Sequence, residues 1–364
     1  MKPLCEKIYL ELDMPNENDT LGDKDRIINA LKDKYENITM PYKIVKKLYP
    51  LCRENNFKIT VTILKMQYDW VVTNVEGKDT SNCNYGIAVD LGSTTITMQL
   101  INLNNKQVIV QESTFNKQVK YGEDILSRIF YTKQYKNGLR EIQKSTIESF
   151  KELINKLEIK SNINIKNCSI MIVSGNTTMT HFLLGINPWT IFQSPFTPVF
   201  NDGGFIKGED IDLPIDGYVY CFPSVANYFG GDLVSGLLYT EIYKKDELCV
   251  LIDIGTNGEL VIGNKDFLIA CAGAAGPALE GGISKYGMRA SDGAIDSIKI
   301  INNKITYTTI NNKKPRGICG SGIVDLIAQS FLNKWIDFSG TLIQENSNSI
   351  IKINDEYAIE YATI

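Results

Sequence analysis

Two turns in the sequence combine an aspartate, a glycine and hydroxyl side chains between apolar strands. The first reads D-L-G-S-T-T at 90–95, and the second reads D-I-G-T-N-G-E at 253–259. A carboxylate at the end of a buried strand can bind hydrated Mg²⁺, so we predict that Asp90 and Asp253 bind the metal and act in catalysis. A glycine lets the backbone pass closely through the turn, and the groups after it can surround phosphate oxygens. The residues predicted to do so are Gly92, Ser93, Thr94, Thr95, Gly255, Thr256 and Asn257.

The repetition of this pattern is more informative than either turn alone. The same order of aspartate, aliphatic residue, glycine and hydroxyl residue predicts an internal duplication of one structural unit. Two such hairpins that face each other would hold a nucleotide phosphate chain from both sides and couple its state to domain motion. The alternative is a pair of ordinary β-turns, in which Asp, Gly, Ser and Asn are common. Neither loop contains G-x-x-x-x-G-K-[ST], so neither is a Walker A site.

Two further segments predict anion-binding or catalytic groups at helix starts. The segment S-G-N-T-T-M-T-H turns from a strand into a helix, where Asn176, Thr177 and Thr178 can direct N–H and hydroxyl groups at an anion. Asp232 follows two glycines at another predicted helix start and is the third predicted catalytic residue, orienting a water or Mg²⁺. For both segments the alternative is an ordinary helix N-cap.

Two glycine-rich segments predict close approach of the backbone to a ligand. They read C-A-G-A-A-G-P-A-L-E-G-G at 271–282, where Pro277 starts a helix, and G-I-C-G-S-G at 317–322. The second has the form of a G-x-x-G-x-G loop, which alone is a weak signal. Tight packing between helices is the alternative for the first. The residues predicted here to bind the nucleotide are Gly273, Gly276, Gly281, Gly282, Gly320 and Ser321.

The elements that position these residues follow from the apolar spacing. Residues 1–80 predict a small α+β domain, with a strand, two helices and a hairpin, and a polar linker at 77–84. The strand is expected at 7–12, the helices at 24–35 and 41–52, and the hairpin strands at 58–65 and 70–77. From residue 85 onward, apolar strands alternate with helical stretches and glycine turns. This alternation predicts an α/β architecture with mixed sheets.

Composition narrows the functional classes. The 364 residues suit two or three domains, and the net charge of -4 argues against nucleic-acid binding. The N-terminus does not read as a signal peptide, and no apolar run is long enough to span a bilayer, so we expect a cytoplasmic protein. None of the eight cysteines lies in a C-x-x-C pair. We therefore expect no iron–sulfur cluster within this chain and a buried Cys249.

Seven segments of the sequence, taken in order, together resemble one protein family. They are GIAVDLGSTT, GNTTMTHFLLGINP, SPFTPVF, VLIDIGTNGELVIG, ACAGAAGPALEGGI, GMRASDGAI and GICGSGIVDLIA. Together they are similar to the reductive activators of corrinoid proteins. These iron–sulfur ATPases restore the Co(I) state of a cobalamin protein that has been oxidised. Residues 1–80 resemble that family's linker and middle region.

The resemblance implies a duplicated RNase H-like fold of the acetate and sugar kinase, Hsp70 and actin (ASKHA) superfamily. It implies one subdomain at 85–247 and a second, incomplete one at 248–364. It also implies ATP and Mg²⁺ as cofactors, a corrinoid protein as partner, an external electron donor such as a ferredoxin, and a homodimer. The sequence departs from the family pattern in two ways, because we see neither a cysteine-rich ferredoxin-like domain nor a final glycine-rich adenosine loop. We therefore expect a fragment or a divergent short form.

Two other functions remain open on the sequence. One is a small-molecule kinase of the same superfamily, with Asp232 as the catalytic carboxylate. The other is a non-catalytic remnant that binds a partner without turnover. Nucleotide binding, ATP hydrolysis and a phosphorylated product would distinguish the three.

Overall fold

The computed structural model describes residues 3–122, 124–227, 229–255, 257–274, 286–354 and 356–362. Five residues singled out by the sequence analysis, Thr256, Gly276, Pro277, Gly281 and Gly282, lie outside these ranges. The chain divides into two compact units, residues 1–236 and 237–364. No helix in the described ranges is both long enough and apolar enough to cross a membrane.

The first unit begins with a four-stranded sheet in the order β1-β3-β4-β2, in which the short β2 joins the predicted strand and hairpin of residues 1–80. Its strands are β1 (Cys5–Glu11), β2 (Ile38–Thr39), β3 (Lys58–Lys65) and β4 (Trp70–Gly77). Helices α1 (Asp23–Leu31) and α2 (Tyr42–Glu54) cover one face. Alternate residues of β3, such as Ile59 and Val61, are fully buried against them.

The other face of this small sheet contacts the rest of the first unit. Cys5 and Leu64 lie in one apolar cluster with Ile170, and Phe205 and Tyr218 pack against it. Both faces of β3 are therefore buried, and the threonines that alternate with its isoleucines lie inside the protein.

A six-stranded mixed sheet, in the order β7-β6-β5-β8-β10-β9, forms the rest of the first unit. Its strands are β5 (Tyr85–Leu91), β6 (Thr95–Asn102), β7 (Gln107–Phe115), β8 (Ile170–Gly175), β9 (Phe205–Lys207) and β10 (Tyr218–Cys221). Strands β5, β8 and β10 run parallel, whereas β6, β7 and β9 are antiparallel to their neighbours. The parallel strands therefore end at the same edge of the sheet.

Helices pack on this sheet and connect its strands. They are α3 (Ile125–Gln134), α4 (Gly138–Ser161), α5 (Thr177–Leu184), α6 (Trp189–Phe192) and α7 (Gly231–Thr240). The long helix α4 places Phe150, Leu153 and Leu157 in one core with β5 and β8. Helices α3 and α4 are among the helical stretches predicted after residue 85.

The described residues of the second unit form three small sheets. One is an antiparallel hairpin with a third strand, β11 (Cys249–Ile254), β12 (Asn257–Gly263) and β13 (Leu268–Ala274). The others contain β14 (Ala294–Ile301), β15 (Lys304–Thr309) and β16 (Gly317–Ile318), then β17 (Ile350–Ile353) and β18 (Glu356–Ile359). Helix α8 (Gly320–Leu332) shares a small core with β14 through Ile323 and Ile295. The expected burial of Cys249 was wrong, because its side chain is partly exposed and Val250 beside it is exposed.

Candidate functional site

The hairpin of β5 and β6 presents the first predicted aspartate at the end of a strand. Asp90 lies opposite Thr97 on β6 and beside Ser174 on the parallel strand β8. Its side chain is exposed, as is that of Thr94, whereas Ser93 is buried. A Cβ at Gly92 would lie 2.5 Å from the carbonyl oxygen of Thr95. The turn therefore closes tightly only with glycine there.

Asn116, which the sequence analysis did not select, holds this turn from behind. Its Nδ2 donates to the carbonyl oxygen of Gly92 at 2.9 Å, and its backbone N–H donates to that of Thr94 at 2.8 Å. The side chain is buried, so these bonds are shielded from water. The sequence signal was only an asparagine after a strand, which is common in turns.

A buried polar network fixes the segment that follows Asn116. The Oδ1 of Asn116 accepts from the backbone N–H of Gln118 at 3.0 Å. Gln118 in turn accepts from Nη1 of Arg128 at 3.1 Å, and Nε of Arg128 donates to the carbonyl of Gly122 at 2.9 Å. Both long side chains are fully buried. A buried hydrogen-bond network of this kind restricts movement, so the turn rests on a rigid base.

The turn after β8 contains the second predicted segment, and its side chains serve the fold. Asn176 caps α5, because its Oδ1 accepts from the N–H of Met179 at 3.0 Å. The hydroxyl of Thr177 donates to the carbonyl of Ala226 at 2.9 Å, and Thr178 is buried. Asn176 is therefore an ordinary helix N-cap, which was the alternative interpretation of this segment. The α5 N-terminus remains available to an anion through its backbone N–H groups.

The start of α7 lies against this turn. Gly230 approaches Asn176 so closely that a Cβ on the glycine would be 2.4 Å from the Cα of the asparagine. The hydroxyl of Ser174 donates to the carbonyl of Gly231 at 3.1 Å. Asp232, the third predicted catalytic residue, is partly buried, and its Oδ1 accepts from the N–H of Leu233 at 2.9 Å.

Three segments that are distant in sequence therefore meet at one edge of the six-stranded sheet. Asp90 is the penultimate residue of β5, Asn176 follows β8, and Asp232 lies in the first turn of α7, whose start lies against the β8 turn. In sheets with parallel strands, ligands bind outside the carboxyl ends of those strands. Two carboxylates and two helix N-termini at this edge suit a phosphate chain accompanied by a cation.

The second predicted hairpin lies in the other unit. Asp253 is partly exposed on β11 and lies opposite Glu259 on β12, and Gly255 in the turn is exposed. Asn257 begins β12. Gly273 lies on β13 beside Gly258, and a Cβ at Gly273 would meet no atom of the described residues within 4 Å. The backbone at Gly273 is therefore open to a ligand.

The last predicted loop opens helix α8. Gly320 is buried in its first turn, after the N-cap residue Cys319. Ser321 is exposed, and its hydroxyl donates to the carbonyl of Asp296 at 2.8 Å. The hydroxyl thus ties the helix to β14, which leaves the backbone N–H groups of this turn as its candidate ligand contacts.

His181, the one histidine of the sequence, connects α5 to the following loop through hydrogen bonds. Its Nδ1 lies 2.7 Å from the carbonyl oxygen of Thr177, and its Nε2 accepts from the N–H of Val199 at 3.3 Å. The ring stacks on Phe200 and is fully buried. The neutral form with the proton on Nδ1 satisfies both bonds. Burial lowers the pKa of His181, and the bond to Thr177 opposes this only in part.

We expect His181 to make the protein less stable in mild acid. Its pKa is near 6.5 in the unfolded chain and lower in the folded one. The unfolded state therefore binds more protons between these two values, so stability is lost as the pH falls below about 6.5. NMR titration of the single imidazole should give a pKa below 6.5 in the folded protein. The urea-unfolded chain, as control, should titrate near 6.5. A folded-state pKa at or above that of the control would contradict the neutral assignment.

Comparison with known proteins places the whole chain in one family. Family models match the RACo linker region at residues 1–82, the RACo middle region at 85–245 and the C-terminal domain of RACo, the ASKHA domain, at 247–363. The predicted α/β fold with an ASKHA domain is confirmed. The name middle region, however, applies to the part that contains the six-stranded sheet and not to residues 1–80.

Curated relatives and a solved structure support the same family assignment. The corrinoid activation enzyme RamQ of Eubacterium limosum is 35% identical over 278 residues, which are 76% of this chain and 46% of RamQ. A Co(II) methylated amine-specific corrinoid protein reductase of Methanosarcina barkeri is 26% identical over 233 residues, or 59% of this chain and 41% of that protein. A solved reductive activator for a corrinoid, iron–sulfur protein matches with a TM-score of 0.77 and 35% identity, covering 99% of this chain and 58% of that one. The chain spans about half the length of the curated relatives it matches.

The ordered motifs, the three matched regions and the structural similarity lead to the same conclusion. The chain belongs to the RACo family, the reductive activators of corrinoid proteins.

Proposed function

We propose that this chain provides the ATP-dependent switch for reductive activation of a corrinoid protein, in which Co(II) is reduced to Co(I). The observation that supports this most directly is the meeting of the Asp90 hairpin, the α5 N-terminus and Asp232 at one sheet edge, in a chain of this family. A phosphate-binding switch requires two carboxylates and two helix N-termini close together, whereas an ordinary β-turn does not.

The proposed roles follow from the chemistry of each group. Asp90 and Asp253 would each offer carboxylate oxygens to a hydrated Mg²⁺, and Asp232 would orient a water. The described residues contain no group of three or more His, Cys, Asp or Glu side chains arranged to hold a metal. This fits Mg²⁺, which in nucleotide sites takes one or two carboxylates together with phosphate oxygens and waters. When bound, Mg²⁺ would neutralise phosphate charge.

The glycine turns are proposed to hold the rest of the nucleotide. Within the first unit, the backbone N–H groups of the first turn and of α5 would contact phosphate oxygens. Within the second unit, those of the second hairpin would do so. The adenosine side would be formed by the glycine-rich segments of the second unit. These proposed residues are Gly92, Ser93, Thr94, Thr95, Asn176, Thr177, Thr178, Gly255, Thr256, Asn257, Gly273, Gly276, Gly281, Gly282, Gly320 and Ser321.

The switch would act through differential affinity. One electron passes from an external donor, such as a ferredoxin, to Co(II) on the partner and gives Co(I). Nucleotide binding can assist an unfavourable reduction only if the ATP-bound and ATP-free states hold the partner with different affinities. We further propose that the protein is a cytoplasmic homodimer, as the family resemblance implies. We also propose that its ASKHA subdomains are residues 85–247 and 248–364.

The test is whether a corrinoid protein in the Co(II) state stimulates ATP hydrolysis. With Mg-ATP and a donor supplied, we expect about tenfold stimulation, which is typical of coupling between sites, and absorbance of Co(I). The control is the same partner in its methylated Co(III) form, which should not stimulate. A folded chain that binds no nucleotide in calorimetry would refute the proposal. Phosphate transfer to a small molecule would instead favour a kinase, and partner binding without hydrolysis would favour a non-catalytic remnant.

A further inference from the structure

A polar cleft lies within the first unit, between the small N-terminal sheet and the six-stranded sheet. Its volume is about 110 Å³. One wall is a row of side chains across the small sheet, formed by Lys7 on β1, Thr62 on β3 and Asn74 on β4, which are register partners. The other walls are the start of α2, the residues just before β8, and the turn between β9 and β10.

Positive charge is in excess around this cleft. The five lysines of its lining are Lys7, Lys43, Lys47, Lys166 and Lys207. Three carboxylates face them: Glu76 pairs with Lys7 at 2.6 Å, Glu209 pairs with Lys43 at 2.9 Å, and Asp216 belongs to the lining. Five lysines and three carboxylates leave an excess of two positive charges around the cleft. Lys47 and Lys166 form no ion pair within the described part of the chain.

Helix α2 begins at the cleft without a capping side chain. Its N-cap residue is Pro41, which offers no side-chain acceptor, and its first turn contains no acidic residue. Pro41, Lys43 and Ile44 all line the cleft. Helix N-termini favour negative charge, and lysine there is unfavourable unless an anion is near. This helix start is therefore electrostatically suited to an anion.

Thr62 provides an independent indication of a ligand. Its side chain is 1% exposed, and its Oγ1 has no hydrogen-bond partner among the residues that the structure describes. Buried hydroxyl groups in native proteins nearly always have a partner. Thr62 belongs to the lining of the cleft and is the register partner of Lys7, so an oxyanion bound against this residue would accept the hydrogen bond of its hydroxyl.

We propose that this cleft is a binding site for a small oxyanion of the phosphate class. The volume admits such an anion but is well below the roughly 300 Å³ of the smallest typical drug-sized pocket, so it excludes a nucleotide. Lys47, Lys166, the α2 N-terminus and Thr62 supply the positive charge and donors. The bound anion would bridge the N-terminal domain and the six-stranded sheet. This proposal does not depend on the proposed switch function.

The test is calorimetric titration of the full chain with inorganic phosphate, with chloride used to hold the ionic strength constant. We expect saturable binding of one phosphate per chain. Lys47→Gln and Lys166→Gln should each weaken it by about tenfold, as expected for the loss of a hydrogen bond to a charged group. The matched control is Lys151→Gln, an exposed lysine on α4, which should bind phosphate like the unmodified chain. Glycerol phosphate in a parallel titration distinguishes a phosphate ester from free phosphate as the ligand.

Thr62→Val gives a second measurement that does not depend on charge. The substitution removes an unpartnered buried hydroxyl, so the Tm without phosphate should rise, while the phosphate-dependent increase in Tm should shrink. Binding that survives in Asp90→Asn would separate this cleft from the nucleotide site. The proposal is overturned if phosphate does not saturate, or if Lys151→Gln weakens binding as much as Lys166→Gln does.

Discussion

Replacing Asp90 with asparagine is expected to lower the affinity for Mg-ATP by about 100-fold while the protein stays folded. The change keeps the size of the side chain and removes its charge. A hydrogen bond to a charged group is worth roughly 1.5–3 kcal/mol, and the upper part of that range corresponds to about 100-fold in affinity. The side chain is exposed at a strand end, so the free energy of unfolding should change little.

Calorimetry with and without Mg²⁺ tests whether the loss of affinity comes from the lost contact between the carboxylate and the metal. The difference between Asp90→Asn and the unmodified protein should vanish when a chelator removes Mg²⁺, because both then lack the carboxylate–metal contact. Asp212→Asn is the matched control. Asp212 is exposed and has a positive φ of 59°, a conformation that asparagine tolerates well. Equal Mg-ATP affinities for Asp90→Asn and the control would exclude Asp90 as the metal ligand.

Local patterns were sufficient to predict both hairpins and most of the elements. The alternation of apolar residues in β5 and in β11, each ended by an aspartate and a glycine turn, specifies strand, turn and strand without reference to the rest of the chain. The N-cap at Asn176 is local in the same sense, because its partner is only three residues away. Such features depend on backbone geometry within a few residues, which sequence alone carries.

The contacts that assemble the site were not predictable, because they join distant segments. Asn116 reaches back across β6 and β7 to the carbonyl of Gly92, and nothing in its own neighbourhood indicates this. The exposure of Val250 and Ile252 on β11 is a second example. An apolar strand pattern predicts burial, but whether another element covers the strand is decided by tertiary packing.

Gly230 is the residue of the site where a single methyl group should have the largest structural effect. A Cβ there would lie 2.4 Å from the Cα of Asn176 and 2.7 Å from the carbonyl oxygen of Gly175. Both atoms belong to the backbone, so no side chain can move away to make room. Gly230→Ala is therefore expected to lower the free energy of unfolding by about 2–3 kcal/mol, as overpacking of a buried position does.

The same substitution should also weaken nucleotide binding, because it pushes the start of α7, and Asp232 with it, away from the turn after β8. Urea unfolding measures the first effect and Mg-ATP calorimetry on the folded fraction measures the second. Gly273→Ala is the matched control for stability, since a Cβ at Gly273 meets nothing within 4 Å in the part of the chain that the structure describes, and its unfolding free energy should stay within about 0.5 kcal/mol of the unmodified protein. If Gly230→Ala is as stable as this control and binds Mg-ATP normally, then the contact between α7 and β8 does not shape the site. If it is destabilised and binds weakly, the helix start acts as a positioning element for the phosphate edge, which explains why two glycines precede Asp232.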